Sequence, residues 1–156
     1  MKILLAIDGS AYSDAAVAEV ARRPWPPGSE ARLIIVDPPL DSSLLRGGSP
    51  TMFDELVQRQ RAEALRHLNA AIDVLKQNAP QLVVTGILRE GRPKDAILDE
   101  AEHWGAELIV VGSHGYGAIR RLFLGSVSLA LAANAPCSVE IVRHPTTPSA
   151  EAPVPR

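Results

Sequence analysis

The sequence predicts a single α/β domain built on an open, five-stranded parallel sheet with helices on both faces. Three observations carry this. Uninterrupted apolar runs of strand length recur along the chain. Segments with apolar residues at helical spacing separate them. No internal repeat and no linker divides the 156 residues, a length that suits one core. Strands alternating with helices call for parallel pairing, with the helices packed on the sheet.

Ile3 to Ile7 is the first run, and its lack of alternation fits a strand buried on both faces. Ser13 can cap the following helix, with Ala15, Ala16, Val17 and Val20 on its inner side. That helix stops near Arg23, because Pro24, Pro26, Pro27 and Gly28 cannot continue it. Ala31 to Val36 is the second strand. Pro38 to Pro50 is a thirteen-residue loop with three prolines and two glycines, longer than most connections and so a candidate moving part. Thr51 can cap a long helix to about Asn78, with Phe53, Leu56, Ala64, Leu68, Ile72 and Leu75 at helical spacing.

Leu82 to Leu88 is the third strand. Pro93 suits the first turn of the next helix, where a missing N–H costs nothing. Ala96, Ile97, Ala101 and Trp104 line it, and Gly105 ends it. Leu108 to Val111 is the fourth strand, a helix runs from Ser126 to about Asn134, and Ser138 to Val142 is the fifth strand. The domain is thus expected over 1–143. Residues 144–156 carry four prolines and almost no bulky apolar residues, which predicts a disordered tail.

Composition excludes several function classes. With 46% apolar and 22% charged residues, the chain has an ordinary globular balance. A net charge of −2 lacks the basic excess of a dedicated nucleic-acid binder. Cys137 is the only cysteine, so an intrachain disulfide and a cysteine-rich metal site are ruled out. Beside Pro136 at the start of a strand, it reads as packing rather than as a reactive thiol. The N-terminal apolar run is too short for a signal peptide, and no run reaches membrane-spanning length. A cytoplasmic protein with no membrane partner is expected.

Ligands of open parallel sheets bind beyond the carboxyl ends of the strands, where the winding reverses. The loops there are Asp8-Gly9-Ser10 and Gly112-Ser113-His114-Gly115. They flank one crevice if the first and fourth strands are neighbours, which the sequence alone leaves open. Gly112 and Gly115 suit a turn with positive φ and let a ligand approach the backbone. Gly125 precedes Ser126-Val127-Ser128 at a helix start, where free N–H groups and about half a positive charge favour phosphate. The hydroxyls of Ser126 and Ser128 can add donors, and Arg120 and Arg121 can add charge or simply be solvated. Asp8 repels phosphate; it can accept from a ribose or an amine, hold a metal ion through water, or bond its own turn.

Three nucleotide and hydrolase motifs are absent. A Walker A loop needs a Lys that is missing, DGSAYS replaces the dinucleotide fingerprint, and no G-x-S-x-G elbow is present. His114 has only Ser113 as an evident partner, so a structural or ligand-lining role is expected over general-base work. His67, His103 and His144 read as surface residues.

Gly112, Gly115, Gly125 and Ser126 meet the spacing G-x2-G-x9-G-[ST]. With the opening ILLAIDGS, the segment Gly91-Arg92-Pro93 followed by Ile97, and AELIVVGSHG, the chain from about Lys2 to Arg143 resembles the ATP-binding branch of the universal stress proteins. Glu107 stands where Asp is more usual, at the buried end of its strand and away from the ligand. The resemblance implies strand order 3-2-1-4-5 on an adenine nucleotide α hydrolase-like scaffold, and a homodimer through the fifth strand, Ser138 to Val142. It implies that Asp8 and the second-strand end at Val36 hold the adenosine, with Ile7, Gly9, Ser10, Ser113 and His114 also counted among the nucleotide-binding residues. Gly112, Gly115, Gly125, Ser126, Val127 and Ser128 would hold the phosphates of ATP, with Mg²⁺ bridging their oxygens.

The expected function is a nucleotide-dependent sensor or switch in a stress response, with no catalytic residue assigned. Slow ATP hydrolysis or phosphotransfer on the same scaffold is one alternative, and a nucleotide-independent dimeric scaffold is another. Against catalysis stand the missing Lys and the absence of a base to orient water.

Overall fold

The chain winds outward from its first strand in two directions. The computed structural model describes residues 1–40, 49–115 and 124–144. Its elements are β1 (Lys2–Ile7), α1 (Ala11–Arg22), β2 (Glu30–Asp37), α2 (Pro50–Asn78), β3 (Val83–Glu90), α3 (Pro93–Trp104), β4 (Leu108–Gly112), α4 (Ser126–Asn134) and β5 (Ser138–Val142). The sheet order is β3-β2-β1-β4-β5, and every pairing is parallel. β1 leads to β2 and β3 on one side; the chain then returns to place β4 and β5 on the other. β2, β3 and β4 run one or two residues longer than the apolar runs suggest. Parallel pairing continues into Asp37 and Glu90, which sit opposite each other.

The two faces of β1 explain its unbroken apolar run. Ile3, Leu5 and Ile7 pack with Val17, Val20, Leu68 and Leu75 under α1 and α2. Leu4 and Ala6 pack with Ile97, Ala101, Ile109 and Leu131 under α3 and α4. Ile3, Leu4, Leu5, Leu33, Ile34 and Ile109 are fully buried, each contributing about 1.5–3 kcal/mol from apolar burial. Arg23, just past α1, ties the edge strand β5 to this frame. Its guanidinium grips Glu140 with two bonds of 2.6 and 2.7 Å.

Both expected serine and threonine caps shift toward the N-terminus. Ser10, not Ser13, caps α1, accepting from the Ser13 N–H at 3.2 Å. Ser13 sits inside the first turn, where its Oγ donates to the Ser10 carbonyl and accepts from Gly9 N–H. Ser49, not Thr51, caps α2, with Pro50 in the first turn. Gly105 closes α3 in the left-handed conformation, at φ 71°.

The inner face of α2 is shorter than its periodicity suggests. Ala64, Leu68, Ala71 and Leu75 are buried, whereas Leu56 is 40% exposed and Phe53 only half-buried. Length explains this. Twenty-nine helical residues span about 43 Å, whereas eight-residue strands span about 26 Å. The N-terminal turns of α2 overhang the carboxyl edge of the sheet. Residues 41–48 of the Pro38 to Pro50 loop, and 145–156 of the expected tail, lie outside the described residues.

Candidate functional site

The strand order reverses between β1 and β4, which pair from Ile3 opposite Leu108 to Ala6 opposite Val111. The exits of these strands therefore flank one crevice, the adjacency the sequence left open. A cleft of about 850 Å³ opens there, large enough for a nucleotide-sized ligand.

Its glycines are required for space. Gly112 and Gly115 do not adopt positive φ; among the described glycines only Gly9, Gly28, Gly91 and Gly105 do. A Cβ at Gly112 would stand 2.7 Å from the backbone C and O of Tyr12, because α1 crosses directly over the end of β4. At Gly115 it would stand 2.6 Å from Asp8 Oδ2, and at Gly125 3.2 Å from His114 Cα. The glycines thus let the β4 exit, α1, the Asp8 turn and the head of α4 close on one another.

The head of α4 is organised differently from the expectation. The helix starts at Ser126 as expected, its cap is Gly125, and no side-chain bond caps it; the difference lies in the role of Ser128. The first i→i−4 bond runs from Leu129 N to Gly125 O, so the N–H groups of Ser126, Val127 and Ser128 have no acceptor within the helix. Gly125 N donates to Ser113 O at 2.8 Å and fixes the helix start against β4. The buried Ser128 hydroxyl donates to Gly112 O at 2.7 Å. It braces the site and is not a ligand donor. Ser126 remains exposed on the cleft wall.

Asp8 both closes its own turn and faces the cleft. Oδ1 accepts from Ser10 N–H at 2.9 Å, while Oδ2 lies against Gly115. His114 lines the cleft, and its Nδ1 lies 3.0 Å from the buried Ser113 Oγ. Its ring is 5.0 Å from that of Tyr12. This is a packed, oriented imidazole.

At the far end, Ile35, Val36, Pro38, Ala64, Pro93 and Ile97 form an apolar slot. Gln60 secures that end: its amide donates to the Asp37 carboxylate and, at 2.8 Å, to Pro38 O. Of the residues singled out in the sequence, Ile7, Asp8, Val36, Gly112, His114, Gly115, Gly125, Ser126, Val127 and Ser128 line the cleft. Gly9, Ser10 and Ser113 sit behind it, shaping the turns. Arg120 and Arg121 lie outside the described residues.

Sequence reasoning missed the α2 wall of Gln60, Glu63, Ala64 and His67. Their spacing, i, i+3, i+4 and i+7, is a helical face. It is mostly polar, so it reads as solvent-facing. His67, expected on the surface, lies across Gly9, where a Cβ would come within 2.7 Å of its ring. Glu107 is likewise corrected: its side chain is 61% exposed, and it accepts from Lys2 N–H at the amino edge of the sheet.

The described lining contains Asp8, Asp37 and Glu63 and no Lys or Arg. No group of three or more His, Cys, Asp or Glu suited to a metal ion occurs among the described residues. Cys137 does not line the cleft, and burial pushes its thiol pKa up. No helix among the described residues is long and apolar enough to cross a membrane.

Known proteins match this architecture. The sequence model of the universal stress protein family matches residues 1–143. A universal stress protein of Thermus aquaticus is 36% identical over 149 residues, covering 90% of this chain and 97% of its own length. The solved structure of the universal stress protein UspA from Lactobacillus plantarum superposes with a TM-score of 0.70 at 27% identity, over 92% of this chain and 97% of that one. An Arabidopsis thaliana universal stress protein family protein, solved with AMP bound, shares the fold with a TM-score of 0.67 at 20% identity. That match covers 96% of this chain and 97% of the other.

Proposed function

The chain belongs to the universal stress protein family, and we propose that it is an ATP-binding member acting as a nucleotide-dependent sensor or switch in a stress response. One observation carries the reading. The open N-terminus of α4, capped by a glycine, faces the same cleft as Gly112, Gly115 and Asp8. Side-chain-free backbone and free N–H groups at one end suit phosphate oxygens. The apolar slot at the other end suits a purine. An adenine nucleotide in one fold neighbour, the AMP complex, supports the choice of base.

Ser126, Val127 and Ser128 hold the phosphates through backbone N–H groups in this reading, and Gly115 allows their approach. Asp8 and the β2 exit at Val36 hold the adenosine. Three carboxylates and no described cation in the lining fit a triphosphate that arrives with Mg²⁺. Bridging phosphate oxygens, the ion offsets charge that the described lining does not. Holding is favoured over hydrolysis, because His114 is packed against Tyr12 and bonded with Ser113 rather than set to orient water.

Titration calorimetry with ATP and Mg²⁺ tests the proposal. Micromolar-range binding that weakens on chelating the metal is expected; no detectable heat or competition by ATP would overturn it.

A homodimer through β5 is the accompanying proposal. β5 is a sheet edge with half-buried residues, and such edges present unpaired backbone groups. Leu129, on the neighbouring α4, is 58% exposed. Sedimentation should give a dimer, converted to monomer by Val139→Pro at the edge; a monomeric wild type would refute it.

A further inference from the structure

We infer that His67, on α2, is a specificity-determining residue that reads the ribose hydroxyls of the bound nucleotide opposite Asp8. The assignment rests on the adenine-nucleotide reading of the cleft.

Position along the cleft comes first. β2, β1 and β4 are consecutive in the sheet, with neighbours about 4.8 Å apart. The apolar base slot lies at the β2 exit and the phosphate end at the β4 exit and α4. Asp8 leaves the sheet from β1, midway between them. A nucleotide laid from slot to helix head therefore brings its ribose to Asp8. His67 occupies the same level from above. Its ring covers Gly9, the residue after Asp8, closely enough that a Cβ there would meet Cγ and Cδ2 at 2.7 Å.

Chemistry comes second. A neutral imidazole offers one donor and one acceptor, which matches a pair of hydroxyls. Among the described residues, its polar neighbour is Glu63, with Oε1 3.7 Å from Nε2, beyond hydrogen-bond length. The side chain is 26% exposed, so the ring is held but reachable. Gly9, at φ 79° and without a side chain, is what allows the imidazole to lie so low. The packing over Gly9 holds the ring, and His67 lines the cleft.

The test compares ATP with 2′,3′-dideoxy-ATP, which keeps base and phosphates and lacks both hydroxyls. Calorimetry is run on the wild type and on His67→Phe, which keeps a ring over Gly9 and removes the nitrogens; His67→Leu is the second variant. The wild type should bind ATP more tightly than the dideoxy analogue by about tenfold or more. His67→Phe should shrink that ratio about fivefold or more while leaving the analogue's affinity within about twofold. Equal loss for both ligands would mean that His67 only packs, and would overturn the assignment. Equal affinity of the two ligands for the wild type would overturn it without any variant, leaving the adenine-nucleotide reading intact. Binding of neither ligand to the wild type would instead sink that reading, and the assignment with it.

Discussion

Gly115→Ala is the substitution that separates binding from folding. The new Cβ would stand 2.6 Å from Asp8 Oδ2, well inside the 3.4 Å of ordinary contact. Gly115 is not in the left-handed region, so the backbone tolerates alanine. The atom in the way ends a side chain, so Asp8 can rotate aside. Rotation gives up the 2.9 Å bond to Ser10 N–H, a loss of about 1–2 kcal/mol for a half-buried carboxylate. In a chain of this size, that lowers the melting temperature by roughly 3–6 °C. Binding should suffer more. The carboxylate leaves the ribose level and a methyl group enters the phosphate approach, so affinity should fall about 10- to 100-fold. Gly112→Ala is the contrast. Its Cβ meets the Tyr12 backbone at 2.7 Å, which cannot rotate away, so folding itself should fail or weaken by several kcal/mol. Paired thermal melts and calorimetry decide the matter. A Gly115→Ala protein that melts within about 6 °C of wild type yet binds ATP equally well would show that Gly115 and Asp8 do not border the nucleotide.

Three further predictions follow from single contacts. Glu100 on α3 is buried between Arg32 at 2.7 Å and Arg89 at 2.8 Å. Burial alone raises its pKa, but hydrogen bonds and charge from Arg89 and Arg32 outweigh it and hold the carboxyl below its ordinary 4.5. The ion pairs therefore stabilise the fold above that pH and are lost as pH falls below it. Glu100→Gln should cost about 2–3 kcal/mol near neutrality, and denaturant titrations should show the gap from wild type closing below about pH 4.5. Ser128→Ala should lower stability by about 1–2 kcal/mol, because it leaves the Gly112 carbonyl buried and unpaired, while ATP affinity by calorimetry stays within a few-fold. Ser10→Ala should cost about 1 kcal/mol in thermal melts through loss of the α1 cap.

Much of the fold was legible because two-sided burial leaves a plain trace. β1 and β4 are pure apolar runs for the reason that helices cover both faces. The breaks at Pro24 and Gly105 punctuate the chain where the helices end. Caps were harder, since several serines and threonines precede each helix and only three-dimensional closure selects Ser10 over Ser13 and Ser49 over Thr51. Adjacency of β1 and β4 is a tertiary fact that no local pattern encodes; the family spacing supplied it.

The site shows the same division. The cleft at the β4 exit and the head of α4 was visible because glycines at Gly112, Gly115 and Gly125 are costly without a purpose. Their purpose differed from the expectation. They make room for Tyr12, Asp8 and His114, and do not supply positive φ. Ser128 looked like a ligand donor until its bond to Gly112 was in view. The α2 wall stayed hidden because Gln60, Glu63 and His67 read as an outer helix face. Only the overhang of a long helix past a short sheet turns that face into a cleft wall.

The proposed function stands on the open head of α4 holding the phosphates of an adenine nucleotide. An amide-resolved NMR titration of the ¹⁵N-labelled protein with ATP and Mg²⁺ tests it most directly. The amides of Gly115, Ser126, Val127 and Ser128 should shift together and saturate in the micromolar range. Unmoved amides at millimolar ATP, or shifts confined to surfaces away from the β1 and β4 exits, would contradict the account.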